Sequence, residues 1–202
     1  MKMTYIIIGI ILAGGIVLGL MSYRNKSVTS NDKQISKNLE TTNTKIQQAK
    51  ENPFEELRNR AFKTTPEDLE LSLPDNKTVV YGVIMDWEMG GAVATTVSYQ
   101  TGDASLYLSS GGGVIGGGQH QNVNSVAKQF VNLAQTFIDK AIRTETTPLP
   151  EKYVVKFYLL TNKGIYVGQE EMKNFENNSS AWIKLFEEGN NVLSELRSIS
   201  EK

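Results

Sequence analysis

Between Lys2 and Arg24 the chain carries no charged residue. The centre of that stretch, Ile6-Ile7-Ile8-Gly9-Ile10-Ile11-Leu12 through Ile16-Val17-Leu18-Gly19-Leu20-Met21, is apolar throughout. Roughly 20 such residues, at about 1.5 Å each, match a hydrocarbon core about 30 Å thick. Residues 1–23 are therefore expected to form an N-terminal transmembrane helix, meeting the membrane via residues 4–22 and making this a single-pass membrane protein. A cleaved signal peptide is the competing expectation. Its apolar region runs about 7–15 residues and ends at a small-residue site, which Met21-Ser22-Tyr23-Arg24-Asn25-Lys26 does not offer. Lys2 on one side against Arg24, Lys26, Lys33 and Lys37 on the other favours a cytoplasmic C-terminal domain. Gly15 and Gly19 would let two such helices approach closely, or simply reflect how common glycine is in membrane helices.

Residues 24–52 are rich in Asn, Ser, Thr, Lys and Gln, with few large apolar side chains. They cannot bury enough surface to offset chain entropy, so a polar linker is expected. Residues 53–202 have the composition and length of one globular domain. The net charge of −1 and the lack of a basic block exclude a general electrostatic grip on nucleic acid. Cysteine is absent, so lipid attachment through an N-terminal thiol is excluded as well.

Asn52-Pro53-Phe54-Glu55 opens a helix with an Asn cap, Pro in the first turn and an early Glu. Phe54, Leu57, Arg58, Ala61 and Phe62 then share one face. Thr65-Pro66-Glu67-Asp68 predicts a further short turn. Thr78 to Met89 reads as a strand, with Val79, Tyr81, Val83, Met85 and Trp87 on one face and Val80, Gly82, Ile84, Asp86 and Glu88 on the other. Gly90-Gly91 and Thr101-Gly102-Asp103 turn the chain into strands at 92–100 and 104–109. Asn122 to Ile142 predicts an amphipathic helix, Tyr153 to Thr161 and Ile165 to Gln169 a hairpin, and Ser180 the cap of a last helix through Ile199. Gly189 inside that helix is expected to mark close packing. The order α-β3-α-β2-α predicts an α+β, two-layer domain: a mainly antiparallel five-stranded sheet with flanking helices.

That element order resembles the secretion-chaperone fold of type III export systems. A second resemblance rests on sequence. Asp86-Trp87-Glu88-Met89-Gly90-Gly91, Gly102-Asp103-Ala104-Ser105-Leu106-Tyr107-Leu108-Ser109-Ser110 with the glycine run that follows, Pro148-Leu149-Pro150, and Phe157-Tyr158-Leu159-Leu160-Thr161-Asn162-Lys163-Gly164 together resemble a family of uncharacterised bacterial proteins. The resemblance covers most of residues 54–197 and implies no activity.

Gly111, Gly112, Gly113, Gly116, Gly117 and Gly118, six glycines in eight positions, form the leading candidate ligand-binding element, together with His120. Ordering such a run is entropically costly, so it suits backbone that needs positive φ or a close approach. It leads into a helix N-terminus, where free N–H groups favour an anion. A structural loop, a partner-binding loop and a phosphate cradle all fit. Gly111, Gly113 and Gly116 satisfy G-x-G-x-x-G, but the flanking strands look antiparallel and the next strand lacks the acidic residue a ribose needs. No Walker-type Gly-Lys-Ser/Thr occurs, and no G-x-S-x-G elbow.

His120 is the sole histidine. As a base it would need Asp86 or Asp103 to orient it and Ser105, Ser109 or Ser110 as nucleophile; a surface or capping role is the alternative. Asp86, Glu88 and Asp103 are oxygen donors of the kind Mg²⁺ takes, without a spacing that assigns them to it, and Asp86 and Glu88 are expected to emerge into solvent. No catalytic residue, metal or cofactor is assigned. The expected function is that of a membrane-anchored protein whose α+β domain binds a protein partner or itself without catalysis, through the sheet face and the Gly111–Gly118 loop. The alternative is an anion- or nucleotide-binding sensor built on the same loop.

Overall fold

The computed structural model describes residues 53–200. Helix α1, Pro53–Lys63, has Pro at its first position, Glu55 and Glu56 in its first turn, and Arg60 and Lys63 in its last. Each charge complements the helix dipole. Its buried stripe is Phe54, Arg58 and Ala61, a spacing that keeps one face inward. Strands β1 (Val80–Glu88), β2 (Val93–Tyr99), β3 (Ala104–Leu108) and β4 (Gly113–Val114) follow as an antiparallel meander. A 3-10 turn at Gly117–Gln119 leads into α2, Gln121–Ala134. After a second 3-10 segment, Gln135–Lys140, come β5 (Ile142–Thr144), β6 (Val154–Thr161), β7 (Gly164–Glu171), α3 (Met172–Glu176) and α4 (Ile183–Ser200).

The strands form one antiparallel sheet of seven, ordered β4-β3-β2-β1-β6-β7-β5. The expected five-stranded sheet is thereby corrected. Its two extra members are the edges, β4 inside the glycine run and β5 starting at the last residue of the predicted Asn122–Ile142 helix. That helix gives way to a 3-10 segment after Ala134, where Gln135 turns its amide to the start of β1, accepting the Val80 N–H at 2.8 Å and donating to Thr78 O at 3.3 Å.

The two-layer expectation is corrected as well, because helices lie on both faces. Val83 and Met85 meet Val123 and Phe130 of α2 and Leu185, Val192 and Leu196 of α4. On the opposite face Ile84, Val97, Tyr158 and Leu160 cluster with Phe54 and Ala61 of α1. Each fully buried Phe or Leu in these clusters contributes about 1.5–3 kcal/mol relative to exposure. A register shift between Val80 and Gly82 moves Tyr81 to the α1 face and Val80 to the other, against the simple alternation.

Glycine lets the α4 side close tightly. A Cβ on Gly168 would lie 2.0 Å from Trp182 Cη2, and that indole is stacked against Phe137 and Phe157. Gly189 gives α4 the expected close approach, since a Cβ there would stand 2.6 Å from Met85 Sδ.

The expectation of a membrane span is also corrected. Among the described residues no helix is long and apolar enough to cross a membrane, and residues 1–23, where the span was placed, lie outside them. A single-pass membrane protein with a cytoplasmic domain therefore has no support in this structure. Gly15 and Gly19 and the 24–52 linker fall outside the described residues too.

Candidate functional site

The glycine run is divided between two structural tasks. Gly111 N–H donates to Leu108 O at 2.9 Å and Gly112 O accepts the Leu108 N–H, which closes a tight turn after β3. Gly113 and Val114 pair with Tyr107 and Leu106 as β4. Gly116, at φ 68°, donates its N–H to Ser105 Oγ at 3.1 Å and reverses the chain. Gly117 is then buried where a Cβ would meet Leu196, and Gly118 where one would meet Asp103. His120 is exposed at the head of α2 and its side chain makes no capping bond there.

Between these tasks the chain leaves a bare edge. Ile115 is 68 % exposed, and among the described residues its N–H and C=O meet no hydrogen-bond partner. Because residues alternate along a ladder, the pairing of Val114 with Leu106 directs the peptide groups of Gly113 and Ile115 away from β3. The sheet face expected as a contact surface is covered, since the central strands carry helices on both sides.

The chemical candidates do not assemble. Asp86 and Glu88 are not at the surface: Asp86 is 0 % exposed and Glu88 7 %. Asp86 faces α1, where Arg58 Nε stands 3.2 and 3.0 Å from its two oxygens, Arg58 Nη2 donates to it, and the Thr95 hydroxyl donates to Oδ1. The guanidinium also lies 4.7 Å from the Phe62 ring centroid and 5.7 Å from that of Tyr158. The Tyr158 phenol is pushed up to about 12, first by burial and then by the Asp86 charge, with Arg58 opposing. His120, by contrast, opens α2, which packs on the other face of the sheet. Ser105 Oγ is occupied by Gly116 and Ser109 Oγ by the Val93 N–H; Ser110 is exposed, and Asp103 Oδ2 accepts from the Thr101 hydroxyl. Arg58 was legible as the one charge on the apolar face of α1, but its partner was not.

Glu88 works as a pin. One carboxylate oxygen accepts the Gly91 N–H in the β1–β2 turn, and the other accepts the Tyr153 N–H at 2.6 Å just before β6. Burial acts to raise its pKa, but the N–H groups of Tyr153, Gly91 and Gly90 and the Lys152 charge outweigh that and hold it below the ordinary glutamate value. Tyr153 is thereby fixed at φ 61°, a conformation that costs a bulky residue about 1–3 kcal/mol. Its C=O accepts the Met172 N–H at 2.8 Å. Tyr153, 55 % exposed, borders an open depression of about 510 Å³ lined also by Val154, Gln169, Met172 and Glu176. Nothing in the residue type announces a left-handed Tyr, so this place has no signal in the sequence.

Among the described residues no group of three His, Asp or Glu side chains gathers in a way that could hold a metal ion. No protein family, curated protein or solved structure matches this chain.

Proposed function

We propose that the domain is a protein-binding module that uses the β4 edge and the adjoining Gly111–Gly118 loop as its contact surface, without catalysis. The single observation that carries this reading is Ile115, a large apolar side chain on an open sheet edge with its peptide groups unpaired among the described residues. An open edge is a template for pairing with another chain, and proteins with no use for one guard it with charge, proline or a covering element. Neither charged residues nor proline guard it in the sequence from Ala104 to Ala127, which contains no Asp, Glu, Lys, Arg or Pro. The reading is supported further by the separation of His120 from Asp86 and by the engagement of Ser105 and Ser109 in structural bonds.

The test is site-specific photo-crosslinking in cells producing the full chain, with a benzophenone amino acid at position 115 or at position 142. Ile142 is the suitable control, being 73 % exposed on the opposite edge strand. Protein adducts are expected at 115 and not at 142. Absence of any protein adduct at 115 would end this reading.

A further inference from the structure

We infer that the occupant of the β4 edge is a second copy of this chain, paired antiparallel about a two-fold axis through Val114; this rests on the reading of the edge as a protein contact. The sheet has two ends, and they differ in charge. The β5 end carries Asp139, Lys140, Arg143 and Glu145 within a few residues, and Arg143 and Glu145 pair there at 3.6 Å. Charged side chains on an edge discourage strand addition. The β4 end lies within the uncharged run from Ala104 to Ala127. A two-fold interface brings each surface group close to its own counterpart, so any strong charge at its centre repels itself. An uncharged edge satisfies that condition, and a head-to-tail β4–β5 contact would instead use the guarded end.

The register follows from which peptide groups are free. With the axis at Val114, Gly113 of one copy stands opposite Ile115 of the other, and the reverse. These are the residues whose N–H and C=O point away from β3, and each such pair exchanges two main-chain hydrogen bonds. No side chain of Gly113 obstructs the approach. Val114 then faces Val114 as a non-hydrogen-bonded pair, in which Cα atoms lie about 4.5 Å apart. That falls within the span a disulfide bridges. The two sheets would become one continuous sheet with the charged β5 strands at its outer ends.

The chain contains no cysteine, so Val114→Cys gives the full-length protein a single thiol. Under mild oxidation, V114C is expected to form a disulfide-linked dimer at least ten-fold faster than I142C, although Ile142 is the more exposed residue. In parallel, sedimentation of the wild type is expected to show its mass rising towards twice that of one chain with concentration, and I115K is expected to stay at one chain. Tryptophan emission matching that of the wild type establishes that each variant is folded. A wild type that sediments as one chain at every concentration overturns the inference, as does I142C linking as fast as V114C, or a mixture of the two variants giving mainly mixed dimers. A position-115 photo-adduct with a different protein, beside a monomeric wild type, overturns the second copy while leaving the edge as a protein contact. Absence of every adduct at 115 removes that broader reading too.

Discussion

Replacing Arg58 with methionine tests how α1 is held on the sheet. Asp86 is fully buried and receives three donors: Arg58 Nε and Nη2, and the Thr95 hydroxyl. In R58M the carboxylate keeps only Thr95. Removing one partner of a buried ion pair costs about 3–5 kcal/mol, because the remaining charge has lost both water and its counter-ion. The guanidinium's position over Phe62 and Tyr158 adds a smaller loss, which the methionine stem in part recovers. For a domain of this size each kcal/mol lowers Tm by about 2–4 °C, so R58M should melt roughly 6–20 °C lower. The double variant R58M/D86L removes both charges. Apolar replacement of a whole buried pair is often neutral or better, and the residual cost is the Thr95 hydroxyl left without an acceptor, about 1–3 kcal/mol. The double variant should therefore be more stable than R58M alone. Urea unfolding of the full chain, followed by the emission of buried Trp182, measures both. An R58M loss under about 1 kcal/mol, or a double variant weaker than the single, would refute this account of the clasp.

Two further outcomes can be checked. Glu88 has a folded pKa below its ordinary value of 4.5, so its contribution to stability is present above that value and is lost as pH falls through the lower, folded one. Urea unfolding at stepped pH should therefore show wild type progressively losing its advantage over E88Q as pH falls below 4.5; a difference between the two that does not change with pH would contradict the pin. Thr96 Oγ1 is buried and has no hydrogen-bond partner among the described residues. T96V removes the hydroxyl at nearly constant shape and should raise stability by about 1 kcal/mol, read as a higher urea midpoint at unchanged m-value. A lower midpoint would mean that the hydroxyl has a partner.

Legibility in the sequence followed length. Strands β1, β2, β3, β6 and β7 are long enough for period-2 alternation to show, and their expected bounds agree with the observed ones within two residues. The edges β4 and β5 span two and three residues, too few for any period, and one lies among glycines while the other continues a helical pattern. The bulge at Val80–Gly82 reversed the face of Tyr81, because a single extra residue inverts an alternation that is otherwise strict. Arg58 sits four residues from both Phe54 and Phe62, which marks it as unusual in the sequence. Its partner lies 28 residues away and only the folded sheet brings them together. The conformation of Tyr153 has no local signature, since a distant carboxylate imposes it. The glycine run was legible as a place where backbone comes close, but not as a strand.

The neighbour relations within the sheet carry a consequence for assembly. β1 through β4 join by successive short turns, and β6 and β7 by another, whereas β1 and β6 meet only after α2 and β5 have intervened. The domain is thus two locally sewn ribbons stitched along one seam, and closing that seam is where the loop-closure entropy of the sheet is concentrated. Glu88 straddles it, reaching the turn of one ribbon and the lead-in to the other. A single carboxylate so placed acts as a basting stitch, setting the line along which the remaining rungs can close.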